Sequence, residues 1–220
     1  MFAAQLFRDF FCGNLENPYF MHSVRTGDYL VSMFCTIQQS KLRDSFSLYS
    51  KDTVALAGLL HDIGKMSIPE GILLKNGPLT NDEWKIMKNH PAYGAEILKS
   101  EEVRRQIEYV WPTAQVKHAI ETARFHHERV DGFGYPDGVK NIPPLARLCA
   151  VADTLDAMTN DRPYRRGASL FDALNTISES AGTQFDESIV NVLLNDLSWL
   201  YPTEMCKETI KKGRERFGNH

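Results

Sequence analysis

Cysteine is scarce and scattered. The 220 residues hold four, Cys12, Cys35, Cys149 and Cys206, with no C-x-x-C pair among them. That spacing excludes a zinc ribbon and argues against a disulfide framework in a chain of this length. Reduced thiols in a cytoplasmic protein are the expectation. Positive charge is not in surplus either: 25 Lys and Arg stand against 28 Asp and Glu, for a net charge of -3. Binding to DNA or RNA regardless of sequence needs a basic surface, so neither is an expected partner. Long apolar runs are missing, and no stretch approaches the roughly 20 residues of a membrane span. The opening MFAAQLFRDFF is apolar but short, and it carries Arg8 and Asp9 inside it, unlike a secretory leader. Repeats and low-complexity segments are absent, and strand signals are weak throughout.

What is present is 43% hydrophobic residues in helical spacing, enough for one domain with a proper core. The periodicity predicts helices near residues 20–40, 51–62, 80–98, 114–128, 144–159, 168–180, 186–199 and 203–214. Thr80 and Glu83 have the form of a capping box at one helix start. Gly64 and Pro69 break the helix that ends at His61-Asp62, and Trp111-Pro112 marks another break. Residues 130–141 are glycine-rich, contain a proline and read as a loop. The expected fold is all-α, a single-domain helical bundle. Residues 1–20 read as an N-terminal helix or linker, 21–200 as the main domain and 201–220 as a helical tail. The basic residues of that tail, among them Lys211, Lys212 and Arg214, read as a solvated helix end.

The densest chemistry lies in the histidines. His61-Asp62, His90, His126-His127 and Asp153 follow one another along the chain, and imidazole with carboxylate suits iron, manganese, zinc and nickel. Consecutive residues of a regular helix point about 100° apart. His61 and Asp62 therefore suit two neighbouring ions, with the Asp between them, better than one; the same holds for His126 and His127. A His-Asp or His-His pair alone is a weak signal. Both together, with Lys65 in HDIGK and His90 ahead of Pro91, are a strong one.

The stretches HSVR (22–25), LLHDIGKMSIPEGILLKNGPLT (59–80), EWKIMKNHPAYGAEIL (83–98), ARFHHERVDGFGYPDG (123–138), ARLCAVADTLDAMTNDRPYR (146–165) and AGTQFD (181–186) resemble, in order, those of the HD-GYP family. This is a branch of the HD superfamily of metal-dependent phosphohydrolases. The resemblance runs over roughly residues 20 to 195 and implies an HD-type helical bundle. It implies metal ligation by His22, His61, Asp62, His90, His126, His127 and Asp153, with Asp62 bridging two divalent ions, iron or manganese. Members with a third metal use a glutamate one turn before the first ligand histidine. Pro18 stands there, with Glu16 off register, so two metals are expected. Asp156, one turn from Asp153, is expected beside the ligands or on the helix surface.

The activity implied is hydrolysis of cyclic di-GMP to pGpG, and in some members on to GMP, by a hydroxide bridging the two ions. Lys65 would meet a phosphate oxygen or the leaving alkoxide. Tyr135 in the GYP loop would meet substrate or a partner, and Arg162 and Arg165 the nucleotide phosphate. Gly134 and Pro136 have a plain turn as their rival reading. The resemblance also implies contact of the GYP loop with diguanylate cyclase domains, and a homodimer is the default assembly. Starting at Met1 with about twenty residues before the matched region, the chain reads as a stand-alone enzyme, or else as part of a longer sensor protein. Two rival functions stand: hydrolysis of another cyclic dinucleotide such as cyclic GMP-AMP, and a nucleotide-sensing or partner-binding module without turnover.

Overall fold

The segment KDTVALAGLL leaves no polar face after its first turn. It forms helix α2 (Lys51–Leu60), in which Thr53 through Leu60 are all buried. A helix apolar all round has to be surrounded. In a computed structural model of the chain, which describes residues 18–200 apart from 109 and 162–165, α2 lies between α1 (Pro18–Ile37) and α7 (Thr113–Phe125), and α8 (Pro144–Thr159) packs across α1. The remaining helices are α3 (Glu70–Leu73), α4 (Asn81–Met87), α5 (His90–Lys99), α6 (Glu101–Glu108), α9 (Leu170–Glu179) and α10 (Glu187–Asn195). Short 3-10 turns occupy Arg43–Phe46, Ile63–Ser67 and Leu197–Leu200. The only pairing of extended type among the described residues is an isolated bridge between Ala181 and Phe185. The fold is all-α, as expected, and no described helix is long and apolar enough to cross a membrane.

Two glycine contacts set how closely these helices approach. A Cβ on Gly58 would lie 2.6 Å from the Gly27 Cα, so α1 and α2 touch backbone to backbone. A Cβ on Gly64 would lie 1.9 Å from the His90 carbonyl oxygen and 2.4 Å from the Gly94 nitrogen. The turn after α2 is thereby pressed onto the start of α5. These two contacts bring the segments bearing His22, His61-Asp62 and His90 onto one another.

Among the described residues, four helix starts are capped by their own side chains. Ser50 accepts a hydrogen bond from Thr53 N, and the Thr80–Glu83 capping box forms with both of its bonds. Asp186 caps α10 through the backbone N–H groups of Ser188 and Ile189. The helix expected over residues 80–98 is divided into α4 and α5. The cause is Pro91, which has no N–H to offer and whose ring crowds the carbonyl four residues back, that of Met87. The helix expected to reach residue 199 ends at Asn195. The helix α6 was not foreseen from its highly charged sequence EEVRRQIE, although Val103 and Ile107 bury one stripe of it. Cys35 and Cys149 are free thiols, half-buried and buried. The helix expected at residues 203–214, with the basic tail, lies outside the described residues, as do Cys12, Glu16 and Cys206.

Gly64→Ala has no room against two backbone groups. It is expected to lower stability by about 1–3 kcal/mol. Gly71→Ala, with nothing within 4 Å of the new methyl, is expected to be neutral or stabilising by about 0.4–1 kcal/mol. Urea midpoints of the two variants measure the contrast.

Candidate metal centre

Three of the candidate ligands share one local device. His61 and His126 each follow the last residue of a helix, α2 and α7, and His90 follows α4 by three residues. Terminal carbonyls of a helix lack partners within it. Each imidazole turns back and donates its Nδ1–H to the carbonyl three residues earlier. His61 donates to Gly58 at 2.7 Å, His90 to Met87 at 2.8 Å and His126 to Ala123 at 3.0 Å. The Met87 carbonyl is the one that Pro91 cannot use, so the His-Pro dipeptide supplies both the ring and its anchor. With Nδ1 engaged, each ring presents a bare Nε2 to the interior.

His22 lies within α1, where backbone carbonyls are already engaged, and its acceptor comes from another helix. Its Nδ1 lies 2.6 Å from Asp156 Oδ2. Asp156 is buried at 1% exposure. It also takes two hydrogen bonds from Arg25, at 2.7 and 3.0 Å, and one from Asn160, at 2.9 Å. Asp156 thus stands beside the candidate ligands and not on the helix surface.

The freed nitrogens converge on two carboxylates. Asp62 Oδ1 faces His90 Nε2 at 3.1 Å and His126 Nε2 at 3.7 Å. Asp62 Oδ2 faces His22 Nε2 and His61 Nε2, each at 3.4 Å. Asp153 repeats the division less tightly: Oδ1 is 3.0 Å from His22 Nε2 and 3.9 Å from His61 Nε2, and Oδ2 is 4.0 Å from His127 Nδ1. Asp62, His90, His126 and His127 form one group with the spacing of a cation site, and His22, His61 and Asp62 form another. Asp62 is common to both. All seven sequence-derived ligand candidates are thus brought together, across α1, α2, α5, α7, α8 and the turns beside them.

This arrangement fits divalent cations. His61 Nε2 and Asp62 Oδ1 are buried without a hydrogen-bond partner, a costly state for polar atoms in a protein interior. A cation among them would remove that cost. The electrostatics agree. Burial lowers the His127 pKa, His90 beside it lowers it further, and it comes to about 3. Burial, then His127, His61 and His90, hold His126 far below the usual histidine range. Burial alone would raise Asp62 and Asp153. Lys65 and His61 overturn this for Asp62, and His22 for Asp153, so both stay well below the carboxylate range. Burial would lower His22 as well, but Asp153, Asp156 and Asp62 outweigh it and lift its pKa to about 10. A carboxylate field strong enough to hold a proton on a buried imidazole is one that a divalent cation answers with more charge.

Lys65, in the turn after Asp62, pairs with Asp62 Oδ2. Tyr135 lays its ring on His127, with centroids 4.7 Å apart at 29°, and its N–H donates to the His127 carbonyl at 3.2 Å. The loop that carries it is held by a residue sequence reasoning missed. Glu128, 2% exposed, accepts backbone N–H bonds from Asp137, Gly138 and Val139 at 2.7, 3.0 and 3.1 Å. Its one signal was its place directly after His126-His127. Gly134 packs on the Glu128 and Arg129 backbone, where a Cβ would lie 2.5 Å from both, so its turn role is structural. A cleft of ≈ 1280 Å³ opens above the centre, lined by Lys65, Trp84, Lys88, Tyr135, Asp153 and others. Arg162 and Arg165 lie outside the described residues.

Known proteins resemble this chain in sequence and in fold. A family model described as HD domain matches residues 25–189. The chain is 42% identical over 143 residues to "Cyclic di-GMP phosphodiesterase response regulator RpfG" of Xanthomonas campestris pv. campestris, covering 64% of this chain and 35% of that protein. It is 33% identical over 187 residues to "3'3'-cGAMP-specific phosphodiesterase 2" of Vibrio cholerae, covering 82% of this chain and 33% of that protein. The chain therefore spans only about a third of the length of these relatives. Among solved structures, it is similar in fold to "Bd1817, a HDG"Y"P protein from Bdellovibrio bacteriovorus", with a TM-score of 0.58 and 17% identity. That likeness covers 84% of this chain and 54% of the other.

Asp156→Ala is expected to leave the helices in place and to weaken binding of a divalent cation, probed with Mn²⁺, about 10- to 100-fold. Calorimetric titration of metal-stripped protein reads this directly. ¹⁵N NMR of the metal-free parent should show the His22 imidazolium near neutral pH, and the variant, lacking one of the carboxylates that raise its pKa, should lose that proton at a lower pH.

Proposed function

The chain belongs to the HD domain family, and from that premise we propose that it is a metal-dependent phosphodiesterase of cyclic dinucleotides, with cyclic di-GMP as the leading substrate. The observation that carries this reading is the Asp62 carboxylate, set with one oxygen toward His90 and His126 and the other toward His22 and His61. His22, His61, Asp62 and Asp153 would hold one ion, and Asp62, His90, His126 and His127 the other. Two such ions supply charge neutralisation at a phosphodiester and a nucleophile usable near neutral pH.

The chain's own groups do the rest. The helix-end carbonyls and Asp156 fix four of the five imidazoles, and the Tyr135 ring lies against the fifth, His127, so these rings stand ready when substrate arrives. Lys65 lines the cleft beside Asp62. Its ammonium stands where a phosphate would dock, and Nζ can give a proton to the departing alkoxide. Tyr135 closes the side of the cleft over His127, sheltering the centre from water. Arg162 and Arg165 remain proposed phosphate contacts on the sequence resemblance. Iron or manganese is the proposed metal, since imidazole with bridging carboxylate suits both. The product would be pGpG, with GMP if a second cleavage follows. Contact of the GYP loop with a diguanylate cyclase domain, a homodimer and a cytoplasmic setting complete the reading, the last supported by the free thiols of Cys35 and Cys149.

A second substrate has support of its own. Relatives named as 3'3'-cGAMP-specific phosphodiesterases are 33% and 34% identical to this chain, so cyclic GMP-AMP is the rival within the same chemistry.

Protein loaded with Mn²⁺, or with Fe²⁺ without oxygen, is expected to convert cyclic di-GMP to pGpG by chromatography, and chelation should abolish turnover. Asp62→Asn should lose both ions in part and lower turnover by more than about 100-fold, since even partners of ligands cost 10- to 100-fold. Faster turnover of cyclic GMP-AMP would transfer the assignment to that substrate. Tight nucleotide binding without product at full metal content would replace the hydrolase with a sensor.

A further inference from the structure

Helix α4 is an oddity of this fold. Its start is firmly specified by the Thr80–Glu83 capping box, and Lys75 pairs with Glu83 at 2.5 Å to tether it. Yet none of its residues is buried. Its tryptophan, Trp84, is 44% exposed, whereas Trp111 and Trp199 are 4% and 2% exposed. A tryptophan that adds little to the core leaves apolar surface facing water, and it does so here in the lining of the cleft above the metal centre.

Its neighbours aim the ring. The Tyr135 ring lies between His127 and Trp84, 4.7 Å from the first and 6.4 Å from the second. Trp84 therefore stands one ring further out from the candidate ligands. Lys88, one helical turn after Trp84, holds its ammonium 5.7 Å from the Trp84 ring centroid and 5.5 Å from that of Tyr135. Such contacts modestly favour this arrangement of the rings. An aromatic face held open beside a cationic group, one ring from the phosphodiester chemistry, has the character of a nucleobase platform. Bases stack on such faces whatever their sequence, and the ammonium meets the adjoining phosphate or ribose.

We infer that Trp84, steadied by Lys88 and Tyr135, is a stacking platform for a purine of the substrate while the phosphodiester occupies the metal centre. This rests on the reading of the chain as a cyclic dinucleotide phosphodiesterase and adds a binding residue to it. The platform is indifferent to guanine or adenine. It therefore contributes affinity for either cyclic dinucleotide, and discrimination between them lies elsewhere.

The test uses the metal-loaded chain with cyclic di-GMP and cyclic GMP-AMP. Trp84→Ala should raise KM about 5- to 150-fold, the span of one lost base stack, with a much smaller change in kcat. Trp84→Phe, which keeps a ring, should recover most of the loss. In metal-free protein, either cyclic dinucleotide should quench tryptophan fluorescence, and Trp84→Phe should abolish the quenching because Trp111 and Trp199 are buried. Parent-like KM in Trp84→Ala, or quenching that survives in Trp84→Phe, would overturn the platform while leaving the phosphodiesterase intact. Absence of turnover by the parent protein on both cyclic dinucleotides would instead sink the underlying reading, whatever Trp84 does.

Discussion

A buried carboxylate with an oxygen that no donor meets is expensive, and Asp62 is such a group, 4% exposed with Oδ1 unpartnered. Removing a charge from water costs several kcal/mol even after relaxation. Around Asp62 stand the imidazoles of His61, His90 and His126, whose inward nitrogens are themselves bare. Nothing in a purely structural account favours that concentration of lone pairs. It becomes favourable once positive charge sits among them, and the whole arrangement of helix ends follows from the need to hold those lone pairs at one point.

The helices solve a positioning problem with parts they already have. Ending α2 and α7 just before a histidine leaves a carbonyl three residues back with no amide to bond, and the ring's Nδ1–H takes it. The same interaction satisfies the helix terminus, selects the tautomer and points Nε2 inward. At His90 the unused carbonyl is produced by Pro91. His22 lies in the opening turns of α1, where carbonyls are engaged, and Asp156, held by Arg25, does from the side what terminal carbonyls do elsewhere. Local chain geometry and metal chemistry are therefore one set of hydrogen bonds.

Rigidity at the centre contrasts with the cleft above it. Gly27, Gly58 and Gly64 bring backbones into direct contact below the site. Above it lie α4, which buries none of its residues, and the glycine-rich loop held by Glu128. A fixed floor under less deeply packed walls suits a site in which the reacting bond must be placed closely while the rest of a large ligand is gripped by rings and charges. Arg129 ties this loop to the 181–186 turn through Gln184 at 3.3 Å. Those two glycine-containing motifs, far apart in the chain, thus form one wall.

Much of this could be read from the residues in order. Histidines and aspartates in adjacent pairs announced cations, the apolar run before His61 announced a central helix, and Thr80 with Glu83 announced the start of α4, because each is a short-range property of neighbouring side chains. The break at Pro91 was equally local but was read as a continuous helix, and α6 was missed because its charges masked a two-residue apolar stripe. The sequence could not say which way a ring turns, since that depends on which carbonyl happens to be unclaimed. Nor could it say that Asp156 reaches His22 across 134 positions, that Glu128 gathers three amides, or that Trp84 faces the cleft. Those are consequences of packing, and contacts between distant segments exist only after the chain has paired its helices.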